Sequence, residues 1–222
     1  MTTSSKVVSA YQTAESYWQS GDTNAAFEAY QMANRLAAQV SPALVEQPSL
    51  ELKKNRELFT AERYALLQEG GLNYRDAVLL VSTPGDGAGY LAPLLAATQG
   101  HQPASALPRI DDIVDSYINE VLAPYHNDLN AYLDDLTPAR CRADAQGCLK
   151  ALTSQVPPAG LLQVSSLSPY LGLLGLWLPQ MPLVFCRREV MDAGWAAYMQ
   201  PPEHGEWQQE SLPALGQTIA TY

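Results

Sequence analysis

The 222-residue chain is 47% hydrophobic and 16% charged, a globular composition that excludes wholesale disorder. Its formal net charge of −10 disfavours binding to nucleic acid or anionic lipid, because both would repel it, whereas a basic protein surface would be attracted. The length accommodates one large domain or two small ones.

The amino-terminal segment, MTTSSKVVSAYQTAESYW, reaches polar and acidic residues too early to form the apolar core of a secretory signal. We therefore expect a cytoplasmic protein. The three cysteines, Cys141, Cys148 and Cys186, are too few and too scattered for a disulfide framework, so reduced thiols are expected. The spacing of Cys141 and Cys148 is also wider than that of common zinc knuckles.

Two amphipathic phrases separated by Gly21-Asp22 open the chain, and each repeats apolar side chains at helical intervals of three and four residues. The first contains Val8, Tyr11, Ala14, Tyr17 and Trp18, and the second contains Ala26, Phe27, Tyr30, Ala33, Ala37 and Val40. Asn24 is available as a cap for the second helix, and Ser41-Pro42 ends its pattern. The sequence therefore predicts a helical hairpin.

Small residues at Ala26 and Ala33 would let the two helices approach closely. Tyr17 and Tyr30 would fill the space beside them. Over residues 7–42 this arrangement resembles a tetratricopeptide repeat, because six residues fall in the matching register: Ala14, Tyr17, Gly21, Ala26, Tyr30 and Ala33. Three positions depart from the family pattern, which has tryptophan, leucine and proline there: Ala10, Thr13 and Ala38.

A second, degenerate hairpin is predicted over residues 50–83, because one repeat cannot bury its own apolar face. Residues 61–64, AERY, echo AESY at 14–17, and Ala77 with Val81 repeats the spacing of Ala26 with Tyr30. An unrelated helical bundle with the same packing chemistry is the alternative.

The segment AVLLVSTPGDGAG has a second interpretation. Read as a strand that runs through Gly85, Gly87 and Gly89 into a helix, it has the order of a phosphate-cradling loop. No lysine followed by serine or threonine comes after the glycines, and Asp86 would place negative charge beside a phosphate. A structural or partner-binding loop is favoured. A nucleotide- or small-ligand-binding enzyme that uses residues 84–89 is kept as the alternative.

Residues 99–109 read as a linker between a unit at 1–98 and a unit at 110–222. The second unit begins with two helical stripes, before and after Pro124, that carry many carboxylates. Adjacent helical residues point about 100° apart, so neither Asp111-Asp112 nor Asp134-Asp135 converges on a metal or substrate. A solvated acidic face that can meet a basic partner is favoured.

Residues 151–185 contain no Asp, Glu, Lys or Arg and are rich in leucine. Pro169, Pro179 and Pro182 divide the apolar run into pieces shorter than the roughly 20 residues of a membrane span. A packed core of short helices or strands is favoured over an exposed hydrophobic groove for a partner and over membrane insertion. A short helix around Trp195 and a loosely structured tail at 201–222 complete the chain.

The predicted fold class is mainly α, with repeat-like hairpins followed by a helical unit whose leucine-rich end can include strands. The resemblance implies a peptide or protein ligand on a helical surface, so the predicted function is non-enzymatic protein binding by an adaptor, chaperone or inhibitor. The expected partner is another protein with a basic or positively patched surface; no cofactor, metal or nucleic acid is expected. The candidate partner-binding residues are Gln12, Asn24, Gln31, Asn34, Arg35, Asp111, Asp112, Asp115, Asp134 and Asp135.

Overall fold

The computed structural model describes residues 3–40, 48–83, 85–99, 108–156, 160–165, 168, 170–201 and 212–219. The chain is mainly helical, which confirms the predicted class, and it also contains a small parallel sheet. The helices are α1 (Thr3–Gln19), α2 (Thr23–Val40), α3 (Pro48–Leu58), α4 (Ala61–Leu67), α5 (Ala88–Gln99), α6 (Ile110–Leu122), α7 (Leu129–Asp134), α8 (Pro138–Gln155), α9 (Leu171–Trp177), α10 (Val190–Tyr198) and α11 (Leu212–Ile219). The strands are β1 (Ala77–Ser82), β2 (Gly160–Ser165) and β3 (Leu183–Phe185).

The chain divides into two compact units. The first, here called the hairpin unit, comprises Met1–Glu51, Pro84–Asp86 and Arg188–Tyr222, and the second, the sheet unit, comprises Leu52–Thr83 and Gly87–Arg187. The predicted boundary at residues 99–109 lies inside the sheet unit. Of that predicted linker, residues 100–107 lie outside the described part of the chain.

In the hairpin unit, α1 and α2 form the predicted helical hairpin. The small residues at their contact are completely buried: Ala14, Ala26 and Ala33. Tyr30 is also completely buried, and its hydroxyl donates a hydrogen bond to Glu15 Oε2 at 2.7 Å. Tyr17 differs from the prediction, because it is 43% exposed and does not fill the space between the helices.

The turn between α1 and α2 contains Gly21 and Asp22. Gly21 has a φ of 82°, a conformation that glycine adopts without steric cost. The Asp22 carboxylate accepts a hydrogen bond from the Ala25 N–H at 3.0 Å and thereby caps α2. Asn24 lies inside the helix, so the prediction that it caps α2 is wrong.

An aromatic cluster around Trp195 of α10 completes the described core of the hairpin unit. The ring centroid of Trp195 lies 5.6 Å from that of Trp18, 6.3 Å from that of Phe27 and 5.9 Å from that of Tyr198. The predicted short helix around Trp195 is therefore confirmed. The predicted tail is wrong over α11, which is helical and buries Leu215, while residues 202–211 lie outside the described chain.

The sheet unit is built around β1. Within the described residues the strand order is β2-β1-β3 and both pairings are parallel, with Ala77 opposite Gly160 and Leu79 opposite Leu183. The prediction of a helix at Ala77 and Val81 is therefore wrong, and the second hairpin does not form. The physical reason is that AVLLVS is a continuous apolar run, which suits a central parallel strand covered on both faces.

Helices cover the two faces of the sheet. On one face, Leu80 and Leu161 pack with Ala92 and Ala96 of α5. On the other face, the larger core joins β1 and β2 to α6, α8 and α9. The predicted helix from Ile110 to the residues before Pro124 is confirmed as α6, whose apolar stripe is buried.

The leucine-rich segment contributes β2, α9 and β3, which confirms that this part of the chain includes strands. Trp177, at the end of α9, is completely buried in the larger core. In the described parts of the chain, none of the helices is both long enough and apolar enough to span a membrane.

Two glycines on α9 allow aromatic rings to lie directly against the helix. A Cβ at Gly172 would overlap the ring of Phe59, and one at Gly175 would lie 2.7 Å from the Tyr64 hydroxyl oxygen. The Tyr64 hydroxyl donates a hydrogen bond to the Gly172 carbonyl oxygen at 2.9 Å. The sequence analysis did not assign a role to either glycine.

We expect Gly172→Ala to lower the free energy of unfolding by about 1–3 kcal/mol, because the new methyl group would force the Phe59 ring out of its position. Urea unfolding followed by circular dichroism measures the change. Gly89→Ala is the matched control, since nothing lies within 4 Å of a Cβ at that helical glycine. Equal stability of the two variants would contradict this packing.

Candidate functional site

An open apolar groove of about 350 Å³ lies within the sheet unit. Its walls come from α3, α4, α9 and the strands β1 and β3. The lining residues are predominantly apolar: Leu52, Asn55, Arg56, Phe59, Tyr64, Leu79, Ser168, Leu171, Gly172, Leu174, Gly175, Leu178, Pro179, Met181, Leu183 and Phe185. Most of them belong to residues 168–185, the segment for which the sequence left a partner groove open.

The rim of the groove exposes large apolar side chains on β3. Phe185 is 68% exposed and Leu183 is 48% exposed. They lie on the sheet face of Leu79 and Val81, their partners in the parallel register. Val184 points to the opposite face and packs with the cluster that includes Ala92 of α5. The groove is therefore continuous with the exposed face of an edge strand.

The polar groups of the groove differ in their availability. The Ser168 hydroxyl donates to Asp111 Oδ1 at 2.6 Å and accepts from the Tyr170 N–H at 3.2 Å, so its hydrogen bonds are made inside the protein. Arg56 is exposed and, within the described residues, makes no hydrogen bond or ion pair. The groove thus offers an apolar surface with one available positive charge in its lining.

The predicted partner-binding residues of the hairpin differ in their exposure. Gln12, Asn24 and Arg35 are exposed, and Gln31 is half-buried. Gln12 lines a shallow, open depression on α1 with Ser9, Thr13, Ser16 and Tyr17. This depression is formed by the side chains of a single helix, and most of them are polar.

Asn34 is 1% exposed, which corrects the prediction that it is an exposed binding residue. Its Oδ1 accepts a hydrogen bond from the Tyr11 hydroxyl at 2.6 Å. Its Nδ2 donates to the carbonyl oxygens of Tyr30 and Tyr198, both at 2.9 Å. Asn34 therefore connects α1, α2 and α10 inside the hairpin unit, and its role is structural.

The acidic candidates are partly engaged within the sheet unit. Asp111 accepts from Ser168 and lies 3.4 Å from an Arg109 guanidinium nitrogen. Asp115 accepts from the Tyr170 hydroxyl at 3.1 Å. Arg109 therefore compensates the negative charge of Asp111, whereas the neutral Tyr170 hydroxyl leaves the charge of Asp115 in place.

Asp134 and Asp135 are similarly engaged. Asp134 pairs with Arg63 at 2.5 Å, and Asp135 lies 3.4 Å from Arg140. Asp112 is exposed. Within the described residues, no three His, Cys, Asp or Glu side chains form a set that could hold a metal ion.

The glycine-rich loop follows a strand and precedes a helix, β1 and α5, as the phosphate-binding interpretation requires. Gly85 also has a packing role: its φ is 82°, and a Cβ there would overlap the Ala193 carbonyl oxygen of α10. A glycine at this position is thus explained without a ligand. Gly89 is not constrained in this way, because nothing lies within 4 Å of a Cβ there.

The three cysteines are free thiols. Burial raises the pKa of Cys148 to about 12. Burial, with a smaller contribution from the Asp144 carboxylate, raises the pKa of Cys141 to about 11. Both lie on the inner face of α8, where they act as small apolar side chains.

Comparison of the chain with protein-family models, with curated proteins and with solved structures gives no significant match. The resemblance of the hairpin to a tetratricopeptide repeat therefore rests on its residues alone.

We expect Asn34→Ala to lower the free energy of unfolding by about 1–3 kcal/mol, because Tyr11 and two carbonyl groups would lose a buried partner. Alanine's better helix propensity offsets less than about 0.7 kcal/mol of this loss. Urea unfolding measures the effect. The neighbouring exposed position supplies the control, Arg35→Ala, which should change stability by less than about 0.5 kcal/mol. An unchanged stability of Asn34→Ala would return this residue to the list of surface candidates.

Cys186 is partly exposed, whereas Cys141 and Cys148 are buried. At pH 8 we therefore expect a thiol reagent such as Ellman's reagent to modify Cys186 rapidly and Cys141 and Cys148 only when the protein opens. A pKa of about 11 leaves roughly one Cys141 thiolate in a thousand at that pH, and the pKa of about 12 leaves fewer at Cys148. Cys186→Ser should remove the rapid phase. Rapid modification of all three native thiols would contradict the burial of Cys141 and Cys148.

Proposed function

We propose that the chain is a non-enzymatic protein-binding protein, acting as an adaptor, chaperone or inhibitor, and that it holds a segment of its partner in the apolar groove of the sheet unit. The observation that carries this proposal is the exposure of Leu183 and Phe185 beside a groove lined by further apolar side chains. Contiguous exposed apolar surface of this kind is typical of interaction sites. A cytoplasmic location, expected from the sequence, is part of the proposal.

The groove is a better candidate than the hairpin surface because it offers more apolar area. Fully burying a leucine or phenylalanine side chain contributes roughly 1.5–3 kcal/mol. Association costs at least about 4 kcal/mol in lost translational and rotational freedom, so a binding site needs several such contacts. The depression beside Gln12 is mostly polar and lies on a single helix.

The acidic charge has a separate role in this proposal. Exposed carboxylates such as Asp112 raise the association rate with a positively patched partner, and this contribution weakens as salt is added. Burial of apolar side chains in the groove is not screened by salt. The two contributions are therefore separable in solution.

The alternative is a nucleotide- or small-ligand-binding enzyme that uses residues 84–89. The order of β1, glycine loop and α5 supports it. The close approach of Gly85 to Ala193 gives that glycine a structural role, which weakens this support. Thermal unfolding with added Mg-ATP, compared between the native protein and Gly89→Ala, tests the alternative.

Affinity capture from the native lysate tests the proposed function. We expect a stoichiometric protein partner that is retained at high salt by the intact protein and reduced at least about tenfold by Phe185→Ser, because a buried aromatic anchor of 1.4 kcal/mol or more corresponds to that factor. Tyr90→Ser is the matched control: Tyr90 is 78% exposed and lies on α5, on the other face of the sheet.

Three results would contradict the proposal. Equal recovery of the partner by Phe185→Ser and the native protein would exclude the groove. A partner lost entirely at high salt would assign binding to the acidic residues. The absence of a partner, combined with thermal stabilisation by nucleotide, would favour the enzyme alternative.

A further inference from the structure

We propose that the partner binds as an added β-strand: an extended segment of another protein pairs with the outer edge of β3, inserts alternate apolar side chains into the apolar groove and places a carboxylate beside Arg56. This inference rests on the proposed protein-binding function and specifies the chemistry of the bound segment. Four features of the sheet unit carry it.

The first feature is the direction of the backbone groups of β3. The Leu79 N–H donates to the Pro182 carbonyl oxygen, and the Cys186 N–H donates to the Val81 carbonyl oxygen, both at 2.9 Å. In a parallel ladder, alternate residues face the same neighbour. The N–H and C=O groups of Leu183 and Phe185 therefore point away from β1, towards an edge with no further strand in the described residues.

The second feature is the difference between the two edges of the sheet. At the β2 edge, the Gln163 N–H donates to the Pro108 carbonyl oxygen at 2.9 Å, and Arg109 forms a parallel bridge with Gln163. That edge is thus partly covered by the chain itself. The β3 edge has no such cover in the described residues, and unpaired strand edges are the surfaces that accept additional strands.

The third feature is the position of the groove relative to this edge. Leu183 and Phe185, whose backbone groups face outwards, also line the groove with their side chains. A strand added beside β3 would direct every second side chain to the same face of the sheet. The backbone edge and the apolar groove would therefore be occupied by one segment.

The fourth feature is charge. Arg56 lines the groove, and Arg187 lies two residues beyond the end of β3; both are exposed and make no ion pair within the described residues. Lys53, which also lies on α3, differs from these arginines because it forms an ion pair with Glu57. An acidic residue next to the apolar positions of the bound segment would meet these arginines. The segment is thus distinct from the basic patch that the whole-chain charge favours.

Pro182 does not block the outer edge. Its carbonyl oxygen faces β1 through the bond from Leu79, so the position of its missing N–H is also on the inner side of β3. An extended ligand is favoured over a helical one, because a helix satisfies its own backbone groups and would leave those of Leu183 and Phe185 unpaired.

A peptide titration of the ¹⁵N-labelled full chain tests the proposal. The probe is a capped peptide, Glu-Thr-Leu-Thr-Leu-Thr-Glu, which as a strand places both leucines and both glutamates on one face. We expect the amide resonances of Leu183 and Phe185 to shift most at up to about 1 mM peptide. Replacing both glutamates by lysine should weaken binding severalfold, and Arg56→Ala should remove this preference.

A pair of variants at Phe185 separates backbone pairing from apolar contact. Phe185→Ala and Phe185→Pro both lose the aromatic ring, but only proline also loses the outward N–H, while the pairing of β3 with β1 uses other residues. We expect Phe185→Pro to bind the peptide about two- to tenfold more weakly than Phe185→Ala, the range for one lost hydrogen bond. Circular dichroism confirms that both variants are folded.

Several outcomes would overturn strand addition. The first two are unchanged amide resonances of Leu183 and Phe185 on addition of the peptide, and equal peptide affinity of the two Phe185 variants. The third is a dimer, detected by sedimentation, that Phe185→Pro dissociates, because a second copy of the chain would then occupy the edge. If lysate capture falls equally for Phe185→Ala and Phe185→Pro, the groove function stands and strand addition is wrong. If capture falls for neither, the proposed function itself is wrong.

Discussion

The structure of the sheet unit depends on the burial of β1 on both faces. Leu79 and Val81 pack into the larger core with α6, α8 and α9, whereas Leu80 packs against α5. The same strand donates and accepts the backbone hydrogen bonds that hold β2 and β3 in parallel register. A central parallel strand needs cover on both faces. The positions of α5, α6, α8 and α9 therefore depend on their packing against β1 as well as on their own sequences.

This central strand also explains why the groove lies where it does. β3 is a short edge strand held by β1, and its side chains alternate between the α5 face and the groove face. Gly172 and Gly175 allow Phe59 and Tyr64 to lie against α9, so these aromatic rings form part of the groove wall. The candidate site therefore follows from the position of β3 as a short edge strand of the sheet.

In the hairpin unit, Asn34, which the sequence analysis placed among the exposed binding residues, lies in the interior. Asn34 satisfies Tyr11 and two main-chain carbonyl groups, and Tyr30 contributes to the aromatic cluster around Trp195. A buried amide is tolerated only when its hydrogen bonds are made, and here they join three helices. The repeat-like pattern therefore identified the packing residues Ala26, Ala33 and Tyr30 correctly, whereas Asn34 is a structural residue and not an exposed one.

The sequence by itself determined the mainly helical class, the hairpin of α1 and α2, the helix α6 and the helix α10. Each of these has an apolar stripe with helical periodicity, a signal that is contained in neighbouring residues. The sequence also indicated that the leucine-rich segment forms short helices or strands, because its prolines interrupt any long helix.

Only the tertiary structure decided that Ala77–Ser82 is a strand, that β3 is an edge and that an open groove lies beside it. The pairing of Leu79 with Leu183 joins residues that are far apart in the chain, and a continuous apolar run such as AVLLVS fits a buried strand or a buried helix equally well. The inward position of Asn34 likewise depends on α10, which follows much later in the sequence. Local periodicity identifies an apolar face, but which segment of the chain packs against that face depends on the tertiary structure.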